Sequence, residues 1–163
     1  MTEVNRHNDV NQLLIKYINQ CLLFLTKIAM PYLQLEVNEA YPIAIKKQLA
    51  KRMGEAYASI MKADVNRITV SIRSLEEGSV WRCSDSDPYP GALLMCDVRA
   101  GRSKEIRTVL SKALILICNE LLELETNQLN IEFTQHTGDE MYHQRLDGFS
   151  ADWTADEGPI SNP

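Results

Sequence analysis

Apolar and polar residues alternate in four short stretches of the chain: 32–37 (Leu33, Leu35, Val37), 67–73 (Ile68, Val70, Ile72), 92–98 (Leu94, Cys96, Val98) and 128–134 (Leu129, Ile131, Phe133). A period of two puts every second side chain on one face of an extended segment, so each stretch predicts a β-strand. Between the first two strands, and again between the last two, the apolar spacing changes to three and four. Ile45, Leu49, Met53, Tyr57 and Ile60 line one side of a helix from about Pro42 to Lys62, and Ile106, Leu110, Leu114, Ile117, Cys118 and Leu121 line a second that follows Ser103. Proline suits a helix's first turn, where its missing N–H is not needed, and a serine hydroxyl can cap the first free N–H groups.

Displacing the first half by 61 positions lays it on the second: Leu33 on Leu94, Val37 on Val98, Leu49 on Leu110, Met53 on Leu114, Val70 on Ile131 and Ile72 on Phe133. The chain therefore reads as a duplicated βαβ unit, with units at 30–74 and 91–134. Right-handed crossovers would place both helices on one face of a four-stranded sheet, giving an α+β fold. The other sheet face carries apolar and semi-polar residues, and its need for cover predicts an oligomer. Residues 75–91 form a Gly/Pro/Ser/Asp-rich connection, and residues 135–163 a polar tail with His136, Asp139, Glu140, His143 and Trp153.

Residues 1–29 stand outside the repeat. Val10, Leu13, Leu14, Tyr17, Ile18, Cys21, Leu22 and Leu25 make an amphipathic pattern that fits a docking helix; the alternative is translation from Met30, with the extension arising from an upstream start.

Length and composition narrow the function. With 163 residues the chain is one domain, or two small units sharing a core, and its formal charge of −5 opposes a broad nucleic-acid footprint. The apolar run Cys21–Leu25 is too short to span a membrane and has no cleavage pattern. The four cysteines make no CxxC pair, and Cys96 and Cys118 fall at apolar positions of the periodic segments. That usage favours reduced core thiols and points to the cytosol. No zinc spacing occurs, so neither metal nor other cofactor is expected.

The repeats differ at two informative places. Pro31 maps onto Ala92, and Tyr41 onto Arg102, so the proline belongs to the first unit and the arginine to the second. Pro31 has two readings. A proline tolerates a strand start because its nitrogen owes the ladder no hydrogen; as a chain terminus it would instead offer a secondary amine for proton transfer. For Arg99-Ala100-Gly101-Arg102-Ser103, two cations before a helix oppose its dipole unless an anion joins them. Guanidinium matches carboxylate bidentately, so the segment reads as a carboxylate clamp, against the plainer reading of a solvated helix entrance.

"MPYLQLEV" followed by a long helix, together with "CDVRAGRSKEIRTVL", resembles the tautomerase superfamily in its fused two-unit form, which includes malonate semialdehyde decarboxylase and cis-3-chloroacrylic acid dehalogenase. "DWTADEG" is similar to the decarboxylase tail. The resemblance covers residues 30 to about 157. It implies a homotrimer acting on a small keto, enol or unsaturated carboxylate, with Pro31 catalytic after loss of Met30 and Arg99 and Arg102 binding the carboxylate. His143 falls near a water-activating glutamate of the dehalogenases, and His136, Glu140 and Trp153 are further candidates for the pocket. Decarboxylation and hydration or dehalogenation remain alternatives within the superfamily. A noncatalytic oligomeric scaffold that binds ligands is the alternative outside it.

Overall fold

The computed structural model describes residues 31–125, 127–137, 140–143 and 148–149. The extension at 1–29, Met30 and Trp153 lie outside these residues, and His143 is described for its backbone alone.

Strand β1 (Tyr32–Val37) leads to helix α1 (Ile43–Met61), a short 3-10 turn (Val65–Arg67) and β2 (Thr69–Ser74). The connection carries a two-residue ladder, β3 (Trp81–Arg82) with β4 (Tyr89–Pro90). The second unit then supplies β5 (Ala92–Arg99), α2 (Lys104–Leu122) and β6 (Leu129–His136), followed by the short antiparallel pair β7 (Tyr142–His143) and β8 (Gly148–Phe149).

The repeat is carried through to the helix ends. Ile43 maps onto Lys104 and Met61 onto Leu122, each 61 positions apart, and the next residues, Lys62 and Glu123, both turn left-handed at φ 53° and 54°. Ala63 N–H donates to Ala58 O at 3.1 Å across the first of these turns, satisfying a carbonyl the helix leaves open.

The main sheet has the order β2-β1-β5-β6. Each unit contributes a parallel pair, β1 with β2 and β5 with β6, and β1 joins β5 antiparallel at the centre. Leu33, Leu35 and Val37 of β1 and Leu94, Cys96 and Val98 of β5 point to one face and are essentially inaccessible. They pack with Leu49, Met53, Tyr57 and Met61 of α1 and Leu110, Leu114, Cys118 and Leu122 of α2 in one core, so both helices cover the same face. Each such leucine contributes about 1.5–3 kcal/mol by leaving water.

The opposite face stays partly open. It carries a polar ladder in which Tyr32 Oη donates to Gln34 Oε1 (3.0 Å), Gln34 Nε2 donates to Glu36 Oε1 (2.9 Å) and Arg73 donates to the same oxygen (3.2 Å). Leu93 and Met95 lie beside them, half-buried. No described helix is long and apolar enough to cross a membrane.

Two local differences from the sequence expectation have physical causes. The second strand begins at Thr69 instead of 67, because Asp64 accepts the Asn66 N–H at 3.0 Å and closes the 3-10 turn. The last strand runs to His136, two residues past the expected end, because its parallel ladder continues alongside β5 as far as Arg99. The connection is held by Asn38, whose amide donates to Val80 O (2.9 Å) and Gly91 O (3.2 Å) while its oxygen accepts from Ser79 N (3.0 Å) and Val80 N (2.7 Å). One side chain thus supplies the hydrogen bonds that a chain crossing open surface would otherwise seek from water.

Candidate active site

Pro31 is buried immediately before β1, and its carbonyl accepts from Thr69 N at 3.1 Å, so it is fixed at the start of the ladder. The antiparallel register pairs Tyr32 with Asp97. One step back along β1 is one step forward along β5, which sets Pro31 beside Val98 and close to the strand end that carries Arg99.

Arg99 and Arg102 are 1% and 3% exposed, the two buried charged residues among those described. Arg99 ends β5; Gly101, at φ 89°, turns the chain through a conformation that a side chain would strain, and Ser103 Oγ then accepts from Ile106 N at 3.4 Å as the helix cap. The serine hydroxyl is therefore occupied as a cap in addition to standing next to the arginines. Below the sheet, burial pushes the Tyr57 phenol above its ordinary range, while the positive charge of Arg102 acts on it in the opposite direction. That effect sets the Arg102 charge within electrostatic reach of Tyr57 of α1.

Where the second unit has Arg102, Tyr41 of the first donates to Leu122 O at 3.2 Å and closes the C-terminal end of α2. The two halves use equivalent positions for different work: a helix stop in one, a buried cation in the other.

Glu140 is exposed, and its Oε2 accepts from Thr137 N (2.7 Å) and Thr137 Oγ1 (2.8 Å). Those two bonds, with the nearby His136, hold its carboxyl below the usual carboxylate range. It closes the turn after β6. His143 lies in β7 and is paired through its backbone with Gly148.

Asp97 gains an importance that the sequence did not give it, and His136, a candidate from the tail, gains a partner. Asp97 Oδ1 accepts from Thr134 Oγ1 at 2.7 Å, and its Oδ2 lies 2.9 Å from His136 Nδ1. The available signal was Asp97 itself, an acid on the open face of an otherwise apolar strand, two residues before Arg99. Among the described residues no three His, Cys, Asp or Glu side chains gather in a metal-binding group.

A cavity of about 820 Å³ lies at the other end of the sheet, lined by Asn38, Glu39, Glu77, Trp81 and Pro90. Its two carboxylates would repel an anion, so it fits a carboxylate substrate poorly.

No protein-family profile matches the sequence, and no curated protein does. Solved structures do match in fold. Pt0534 inactivated by 2-oxo-3-pentynoate superposes with a TM-score of 0.61 at 21% identity, over 69% of this chain and 91% of that one. The Q0 fused 4-OT symmetric trimer gives 0.63 at 19% identity, over 74% and 95%. N1, a member of the cis-3-chloroacrylic acid dehalogenase family, gives 0.62 at 16% identity, over 69% and 80%. Two βαβ units joined antiparallel through β1 and β5, with both helices on one face, give this chain the fold of the fused 4-OT structures.

Proposed function

We propose that the chain is a tautomerase-superfamily enzyme that moves a proton on a small keto, enol or unsaturated carboxylate. Pro31, once its nitrogen is a free amine, serves as acid or base; Arg99 and Arg102 hold the carboxylate. The observation that supports this most is the register Tyr32 with Asp97, which brings the proline to the strand end that carries the buried Arg99, with the buried Arg102 three residues further on. A buried guanidinium binds carboxylate with charge-assisted hydrogen bonds, and its charge offsets the negative charge that develops as an enolate forms. A secondary amine supplies the proton transfer only when no acyl group occupies its lone pair, so activity requires a chain that begins at Pro31.

The test is covalent labelling. 2-Oxo-3-pentynoate, the compound that inactivated Pt0534, has an alkyne conjugated to a ketone beside a carboxylate. A neutral proline nitrogen adds to the distal alkyne carbon, forming an N–C bond, and the amine proton ends on the neighbouring carbon. A chain starting at Pro31 should gain the mass of one inhibitor, mapped to Pro31 by peptide sequencing. Prompt inactivation with Pro31 unmodified would contradict the proposed role.

A further inference from the structure

We propose that His136, set beside Asp97, is a second proton-transfer group of this same site; this rests on the assignment of Pro31 and the arginines above. His136 ends β6, and its side chain is 10% exposed. Nδ1 approaches Asp97 Oδ2 to 2.9 Å, a short contact but not in line with a ring N–H. Nε2 is inaccessible to solvent and has no hydrogen-bond partner among the described residues. Buried polar atoms are nearly always paired, and an orphaned imidazole nitrogen marks a place where a ligand atom would be satisfied.

Its position says which ligand atom. The parallel register pairs Arg99 with His136 and Asp97 with Thr134, so the imidazole shares a sheet face and a strand end with Arg99. Ala100 N donates to His136 O at 2.7 Å and locks the two strand ends together. Adjacent strands lie about 5 Å apart. In a 2-oxo acid the keto oxygen is one carbon from the carboxylate. A carboxylate held on Arg99 would direct that oxygen toward the neighbouring strand that ends in His136.

The two groups then divide one tautomerisation. Neutral His136 takes the proton from the enol oxygen, the O–H bond breaks and C2=O forms; the C2=C3 electron pair takes a proton from the Pro31 ammonium and makes the new C3–H bond. The site is left with imidazolium and neutral amine, and exchange with water restores both. Asp97 steadies the imidazolium, and Thr134 steadies Asp97, so Asp97 is a positioning residue. The charged groups around the ring are Asp97 and Arg99 of β5 and Glu140 of the following turn, whose carboxylate His136 influences.

The experiment uses the chain beginning at Pro31, with His136→Gln and Asp97→Asn, on phenylenolpyruvate ketonisation. His136→Gln should lower kcat at least about 100-fold, the usual worth of a positioned acid or base, while labelling of Pro31 by 2-oxo-3-pentynoate continues. Asp97→Asn should lower kcat with KM little changed. Full kcat/KM in a folded His136→Gln protein would overturn the inference. Should that variant fail to fold, 15N NMR of the intact protein decides: a saturated 2-hydroxy acid should shift the His136 Nε2 resonance, and an unmoved resonance at saturation would overturn it. Loss of Pro31 labelling with the Nε2 shift retained would count against the proline assignment instead.

Discussion

Tyr32 of the first strand pairs with Asp97 of the fifth across the antiparallel join between the two βαβ units. That pairing brings the start of one unit to the end of a strand in the other, and the buried Arg99 and Arg102 follow directly in the chain. Neither unit carries the whole set. Ala92 stands where Pro31 would be in the second unit, and Tyr41 where Arg102 would be in the first, so the proposed chemistry needs both halves.

Arg102→Ala removes a cation that is 3% exposed. If it grips a substrate carboxylate, transition-state binding should weaken by about 2–5 kcal/mol. Steady-state kinetics on phenylenolpyruvate checks this, and an unchanged kcat/KM would take Arg102 out of the site.

Leu114 is fully buried between the sheet and the helices. Leu114→Ala should cost about 2–5 kcal/mol, the transfer of the lost atoms plus the cavity left behind. A lowered urea midpoint is expected; a shift worth less than 1 kcal/mol would mean that the core collapses around the gap.

Burial pushes the Cys96 and Cys118 thiols from 9.0 up to about 12, with Cys118 adding to the effect on Cys96. Folded protein then keeps two protons that the unfolded chain releases. Because the folded values are raised, this contribution is whole below pH 9.0 and is lost as pH rises toward about 12. The slope approaches about 1.4 kcal/mol per pH unit for each thiol. Urea unfolding under reducing conditions should show stability falling from pH 9 to 11, with a shallower fall in Cys118→Ala; a flat profile would contradict the burial.

The open sheet face, with half-buried Leu93 and Met95 beside the Tyr32–Gln34–Glu36 ladder, should be covered by further copies of the chain. One fused 4-OT of this fold is a symmetric trimer. Sedimentation equilibrium should give about three times the 18.5 kDa chain mass. A monodisperse monomer that turns over substrate would exclude this assembly.

The repeat was legible because it is written in local spacing. Leu49 and Leu110, or Val37 and Val98, occupy equal places in equal patterns, and each pattern follows from side chains that must leave water. Pro31, Arg99 and Arg102 stood out because they break the repeat or crowd like charges at a helix start. The antiparallel join of β1 to β5 was not legible, since a βαβ repeat fixes pairing within a unit and leaves the contact between units open. Asp97, and its pairing with the tail candidate His136, were missed for that kind of reason: the two are 39 positions apart and meet only because β5 and β6 lie in parallel register. His136 also looked like tail, because the alternation that marks the last strand fades after Phe133 while its ladder continues.

The role of Pro31 is tested most directly by comparing two polypeptides, one beginning at Pro31 after removal of Met30 and one retaining residues 1–30, each verified by intact mass. Measured on phenylenolpyruvate or 2-hydroxymuconate, kcat/KM should be high for the first and near background for the second, whose proline nitrogen is an amide with no basic lone pair. Equal kcat/KM for both, with the extension intact throughout the assay, would contradict the amine mechanism.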